Sequence, residues 1–308
     1  MTAKPSRICA VVVTYNRKVL LEECLTALLG QTRPLDEIIV IDNASTDGTE
    51  DIIKTGFADI TYVKLAENIG GAGGFHVGMK LAFEKGYDWI WVMDDDAIPM
   101  VDALEKLTNC PMMLEDRVYA LASTVLNRDG SISLVHRRQF EAKKLEERAI
   151  SADKYEQDYF QMDTSSFVGF LIGRKAIEEV GFPLKDLFIY FDDTEYSLRI
   201  RKRGIMFTVP ASKVVHGEGV DYSTKSITKK PPLEWSKYYL IRNNIYTYME
   251  HGRPGLAFYM KLLMRTLKGI VGALLFRRSK IKSVKLILRG TLDGLQGKVG
   301  KNIDFLPD

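Results

Sequence analysis

Cysteine is almost missing from this chain of 308 residues: Cys9, Cys24 and Cys110 stand far apart in apolar or mixed surroundings. Three such thiols make neither an even disulfide set nor a metal-ligand spacing. That excludes a disulfide-built secreted scaffold and leaves buried thiols in a reducing compartment. Long apolar runs are lacking as well. The opening stretch MTAKPSRICAVVVTYNR has a basic start, but its apolar run is short and meets no small-residue cleavage site, which argues against a secretory leader. In KLLMRTLKGIVGALLF (261–276), Arg265 and Lys268 interrupt any span of the length a bilayer requires. A cytoplasmic protein is the expectation. Two nucleotide fingerprints are also absent. Thr14-Tyr15-Asn16 stand where Gly-x-Gly-x-x-Gly would have to follow the first strand, and His76 takes the third position in a later glycine-rich stretch. No glycine is followed four residues on by Gly-Lys-Ser or Gly-Lys-Thr, so both the dinucleotide fold and the ATP phosphate loop are excluded.

What is present is the composition of a folded chain, 46% hydrophobic and 27% charged. The net charge of +3 hides an asymmetry: from Lys229 onward 16 basic residues face 5 acidic ones, a balance of +11, whereas the first 228 residues carry −8. This divides the chain into an acidic body, 1–228, and a basic, helix-rich region, 229–308. A basic tail attracts anionic surfaces. No nucleic-acid readout motif accompanies it, so a membrane surface or a second subunit is the better partner. Lys261, Arg265, Lys268 and Gly272 share one narrow helical face. The helix either lies in a membrane interface, with Arg277, Arg278, Lys280 and Lys282 near anionic head groups, or packs on the body or a homo-oligomeric partner.

Along the body, apolar periodicity alternates between strand and helix. Ile8–Val13 reads as a strand buried on both faces, Leu20–Leu29 as an amphipathic helix, and Glu37–Ile41 as a second buried strand, which predicts a right-handed parallel crossover. Ser45 or Asp47 would cap the next helix. Thr61–Leu65 is a third strand. NIGGAGGF (68–75) reads as a glycine-rich loop, Gly73 and Gly74 included, before a helix over 77–85; such a loop brings backbone amides to a ligand or lets a helix pack closely. Helix is expected over 103–114, strand over 119–126, a hairpin turn at 127–130, and an exposed loop or helix over 140–159. SSFVGFLI (165–172) reads as strand, 174–180 as helix, and 206–209 as a further strand.

Three places stand out at predicted strand ends. In WIWVMDDDAIP (89–99) an apolar run stops at Asp94, Asp95 and Asp96. Adjacent carboxylates repel one another, so their clustering after a buried strand suggests a cation site, with a solvated acidic turn as the plain alternative. In FDDTEY (191–196) Asp192 and Asp193 fall at a helix start, where the dipole favours a carboxylate. One of them can serve as N-cap and the other is then free. His216 follows the apolar pair Val214-Val215; a lone histidine is usually structural, but this one ends another strand. Asp42, at the end of the second strand, lies on the edge where open α/β sheets take ligands, or else it bonds its own loop.

Taken in order, VVVTYNR, IVIDNASTDGTED, ENIGGAGGF, WVMDDDAIP, FDDTEYSLR and VVH resemble the inverting GT-A glycosyltransferases of family 2, from about Ile8 to about Gly219. NIGGAGGF and MDDDA are most similar to bacterial galactofuranosyltransferases and polysaccharide rhamnosyltransferases. The resemblance implies a GT-A fold, a Rossmann-like, mostly parallel sheet flanked by helices, followed by a C-terminal helical region. It also implies a manganese or magnesium ion held by Asp94, Asp96 and His216 and bridging the donor's phosphates, with Asp95 nearer the sugar or ribose. Thr14, Tyr15, Arg17, Asp42 and Asn68 would line the nucleotide, Asp42 accepting from the pyrimidine N3-H, and Asp193 would be the catalytic base. The implied donor is a nucleotide sugar, UDP-galactofuranose first and dTDP-rhamnose second. The implied acceptor is a lipid-linked or polysaccharide glycan, reached from the inner face of the cell membrane. Two rivals differ in class. A nucleotidyltransferase would carry a phosphate loop where TYNR stands, and a non-catalytic nucleotide-sugar scaffold has no use for Asp193 beside an intact acidic cluster.

Overall fold

The computed structural model describes residues 6–142, 146–217, 235–252, 254–277 and 279–306. The expected boundary at 228/229 and Arg278 lie outside them. The strands are β1 (Ile8–Thr14), β2 (Glu37–Asp42), β3 (Thr61–Lys64), β4 (Trp89–Asp94), β5 (Ala97–Pro99), β6 (Val118–Leu126), β7 (Arg137–Glu141), β8 (Glu146–Ala149), β9 (Phe160–Met162), β10 (Thr164–Ser165), β11 (Phe170–Gly173) and β12 (Ile205–His216). The helices are α1 (Lys18–Leu29), α2 (Thr49–Gly56), α3 (Gly70–Glu84), α4 (Ala103–Thr108), α5 (Arg174–Val180), α6 (Asp192–Arg201), α7 (Ser236–His251), α8 (Leu256–Phe276) and α9 (Lys280–Leu295).

The main sheet runs β3-β2-β1-β4-β11-β6-β12-β5, with β9 on β12. β1, β2, β3 and β4 are parallel, and β11 enters antiparallel between β4 and β6. Every residue of β1 is buried, as a central strand covered on both faces must be. Its side chains alternate. Ile8, Ala10 and Val12 pack with Leu21, Leu25 and Leu104 beneath α1 and α4, while Cys9, Val11 and Val13 join Phe75, Met79 and Tyr196 beneath α3 and α6. The result is a helix, sheet, helix sandwich with two cores. All three cysteines are buried and unpaired.

Several expectations need correction. NIGGAGGF is not a loop: α3 begins at Gly70. Helix over 103–114 stops at Thr108 and resumes as a 3₁₀ turn over Pro111–Leu114, because proline cannot continue the hydrogen-bond ladder. The charge-rich 140–159 stretch contains β8, and Phe140 and Ile150 are buried. SSFVGFLI breaks into β10 and β11 around Gly169, whose φ is +66°. Residues 206–209 and 214–215 are parts of one bent strand, β12, with a register shift between Val209 and Lys213. Proline lies at that shift, where a ladder donor is not needed: the Pro210 carbonyl accepts from the Thr124 hydroxyl. Neither Asp192 nor Asp193 caps α6, for both lie inside its first turn.

Helices α7 and α9 pack side by side, and α8 rests mainly on α9. Their junction with the body is a small core of Phe188, Tyr238, Tyr239, Leu286 and Phe305. Among the described residues no helix is long and apolar enough to cross a membrane.

Candidate active site

Strand register builds the site. Thr14 pairs with Asp42 on one side of β1, and Val13 pairs with Asp94 on the other, so both acids sit at the carboxyl edge of the same central strand. Asp95 turns back toward the β1 end: the Thr14 hydroxyl donates to it at 2.7 Å, the Tyr15 N–H donates as well, and Arg17 Nη1 stands 3.5 Å away. The same guanidinium stands 3.4 Å from Asp96 Oδ2. The bend in β12 carries His216 opposite Ala97, the residue after the acidic triplet. His216 Nε2 is thereby 3.1 Å from Asp96 Oδ1 and 3.9 Å from Asp94 Oδ2. The three side chains offer ligand atoms that all lie within 4.8 Å of one another.

These groups perturb one another in the way a cation site does when its charges are unbalanced. Burial, with the Asp96 charge added, raises the Asp95 carboxyl to about 6 although Thr14 and Arg17 oppose this. Asp94 is raised by removal from bulk water and then by Asp96. For Asp96 burial also acts upward, but the His216 hydrogen bond and charge prevail and hold its carboxyl below the usual range. In return, Asp96 overcomes the desolvation of His216 and raises the imidazole. Two carboxylate oxygens and one imidazole nitrogen form a hard donor set with a borderline member, which suits a divalent ion such as manganese or magnesium. The residues present fit such an ion.

The paired acids that open α6 come within electrostatic reach of Asp94 through Asp192. Asp192 is buried, and its carboxyl is pushed well up by desolvation, then by Asp193, with a contribution from Asp94. Asp193 is raised by burial, while Arg138 on β7 pulls it down. Its Oδ1 accepts the Thr194 N–H at 2.6 Å, leaving its second carboxylate oxygen outside that bond. Arg138 also pairs with Glu147 at 3.0 Å, and its buried Nε–H has no partner among the described residues.

The remaining expected residues divide. Asp42 is fully buried, one oxygen accepting from the Ser45 N–H at 2.8 Å and the other from the Tyr62 hydroxyl. Tyr15 is 39% exposed. Asn68 accepts the Gly70 N–H at the start of α3. Gly73 and Gly74 are buried in α3, where a Cβ would come 2.6 Å from Ile69 and 2.5 Å from Val13; what they show is the close helix packing that was the second reading of the glycines. Sequence reasoning missed Arg138 and Tyr62. Neither carries a motif: Tyr62 meets Asp42 through the β2–β3 pairing, and Arg138 comes near Asp193 because β7 pairs with β10, on which α6 packs.

With this geometry in place, comparison with known proteins becomes decisive. The family model described as Glycosyl transferase family 2 matches residues 9–181. The chain belongs to glycosyltransferase family 2. Among curated members it is 30% identical to a galactofuranosyltransferase of Mycolicibacterium smegmatis over 80% of this chain and 84% of that protein. It is 27% identical to a dTDP-rhamnosyl transferase of Shigella flexneri over 96% and 97% of the two chains. Two solved structures share the fold: GalNAc-T7 with UDP, GalNAc and Mn2+ (TM-score 0.55, 16% identity, 70% of this chain and 44% of that one) and S. aureus TarS (TM-score 0.56, 14% identity, 94% and 49%). The chain thus spans about half the length of each. The family 2 assignment makes the protein a nucleotide-sugar glycosyltransferase with a glycan acceptor, built on a GT-A-like sheet.

Proposed function

We propose that this enzyme moves a sugar from a nucleotide diphosphate, with UDP-galactofuranose as the first candidate, to a hydroxyl of a growing, lipid-linked cell-surface glycan, inverting the anomeric centre. The observation that carries the reading is the meeting of Asp94, Asp96 and His216 at one point, beside the acid pair that opens α6. Asp94, Asp96 and His216 would hold manganese or magnesium, which when bound supplies positive charge to the leaving diphosphate. Thr14, Tyr15, Arg17, Asp42 and Asn68 border the nucleotide, and Asp95 the donor's sugar or ribose. Asp193 takes the acceptor proton as the hydroxyl attacks, since an alcohol is a poor nucleophile until a positioned carboxylate removes that proton. One base and one displacement give inversion without a covalent intermediate.

The relative from Shigella flexneri supports a second donor, dTDP-rhamnose, because the match runs nearly end to end. A panel of nucleotide sugars with manganese present separates the two. Turnover of UDP-galactofuranose above all others supports the first reading, turnover of dTDP-rhamnose supports the second, and no turnover of any sugar refutes both.

For the acceptor side we propose an anionic membrane surface as docking partner. No acidic residue occurs from His251 to Leu292, and the outward face of α8 exposes Leu263, Met264, Leu267, Val271 and Leu274 at about half their area. An apolar helix face bordered by lysine and arginine is what interfacial binding requires. This would place the enzyme at the inner face of the membrane, where a lipid-linked acceptor is found.

A further inference from the structure

We infer that Arg242 and Asn243, neighbours on α7, are positioning residues for the base: they hold in a left-handed conformation the short loop from which α6 and Asp193 start. The inference rests on the proposed role of Asp193. Within residues 187–191 three non-glycine residues have positive φ, Phe188 at +68°, Tyr190 at +66° and Phe191 at +66°. At Phe188, with ψ −62°, the Ile189 N–H bonds the Leu187 carbonyl at 2.8 Å, which is a γ-turn of the rare and strained hand. Such backbone persists only where its surroundings over-determine it, and it gathers at working sites.

The surroundings here are two side chains. Asn243 Nδ2 lies 2.8 Å from the Leu187 carbonyl and 2.9 Å from those of Ile189 and Tyr190. Arg242 Nε–H donates to Asn243 Oδ1 at 2.8 Å, which fixes the amide so that its protons face the loop. The same guanidinium donates to the carbonyls of Leu187, Asp186 and Gly300. Both side chains are essentially fully buried. From the opposite side the Ala72 N–H, in the first turn of α3, donates to the Phe188 carbonyl at 3.1 Å. Phe191 then leads directly into the first turn of α6, its carbonyl accepting the Glu195 N–H at 2.8 Å. Turning these carbonyls inward toward α7 sets the direction in which α6, and with it Asp193, enters the cleft.

A residue that merely stabilises the fold lowers the folded fraction, which normalising turnover to folded enzyme removes, whereas a positioning residue lowers the turnover of the folded enzyme itself. The test uses the full chain and the variants Asn243→Ala, Asn243→Asp, Arg242→Lys and Asn243→Ala with Tyr190→Gly. It measures kcat, donor KM and hydrogen exchange of residues 187–195. Asn243→Ala should lower kcat by about tenfold or more while donor KM stays within about twofold, because a small misplacement of the base costs turnover rather than donor binding. Asn243→Asp, which cannot donate, should lose at least as much. Exchange over 187–195 should rise. Adding Tyr190→Gly should recover about threefold or more of the loss, since glycine adopts this φ without steric cost. Should Asn243→Ala fail to fold, Arg242→Lys, which keeps the charge but loses the fork of donors, takes its place with the same expected split. The inference is overturned if kcat stays within about twofold, if donor KM rises in step with the fall in kcat, if exchange is unchanged, or if Tyr190→Gly recovers nothing. A parent enzyme that transfers no sugar would refute the proposed function instead. The exchange rates alone would then decide whether the clamp exists.

Discussion

At the scale of single residues, the site works by giving similar carboxylates different surroundings. As the proposed base, Asp193 would have to be ionised to take a proton, so turnover should fall as pH drops through its pKa. Burial raises that pKa and Arg138 restrains it, which places the acid limb of kcat above the ordinary aspartate value of about 3.9. Removing the restraint with Arg138→Gln should move the limb further upward in a pH profile of kcat. Asp193→Asn should cut transfer by about 10²–10⁴ while donor binding, followed by titration with the nucleotide diphosphate, is retained. Chelation of divalent ions should abolish transfer and added manganese restore it, whereas Asp96→Asn should weaken that restoration. Asp42, Asp94 and His216 were legible in the sequence because each ends an apolar strand, and Asp192 and Asp193 because they open a helix after an apolar run. Arg138 was not: it sits in a charge-rich stretch, and its relation to Asp193 exists only after β7 folds against the α6 start.

At the scale of elements, what the sequence made visible follows from local chemistry. Buried β1 and β2 and amphipathic α1 show their periods directly, and they appear close to where expected. What stayed hidden depends on distant partners. The two halves of β12 look separate because Pro210 interrupts the strand signal, yet pairing with β6 and β5 joins them. The glycines at 70–74 resemble a loop because glycine is a poor helix former. The segment is helical all the same, and Phe188, Ile69 and Val13 leave no room for a Cβ at Gly70, Gly73 and Gly74. Gly70 is the extreme case, with φ +79° and a would-be Cβ 2.0 Å from the Phe188 carbonyl. Gly70→Ala should therefore cost about 2 kcal/mol or more in thermal or urea unfolding. Gly71→Ala, with nothing within 4 Å, should be neutral or stabilise by up to about 1 kcal/mol.

For the whole molecule, a cleft on the carboxyl edge of the sheet and a basic, apolar helical face belong to one chain, and the charge asymmetry of the sequence already hinted at this division. Flotation with anionic liposomes should carry the protein upward, and Leu263→Glu with Leu267→Glu should return it to the soluble fraction. The hydrogen bond from the Ala72 N–H to the Phe188 carbonyl has a different kind of consequence. It ties the glycine-rich start of α3 to the loop before Asp193, so these two segments are not interchangeable parts. A chimera that imports only one of these segments from a relative with another sugar preference would inherit a mismatched seam. Donor specificity in this scaffold should therefore be transplantable only when residues 68–75 and 186–193 travel together.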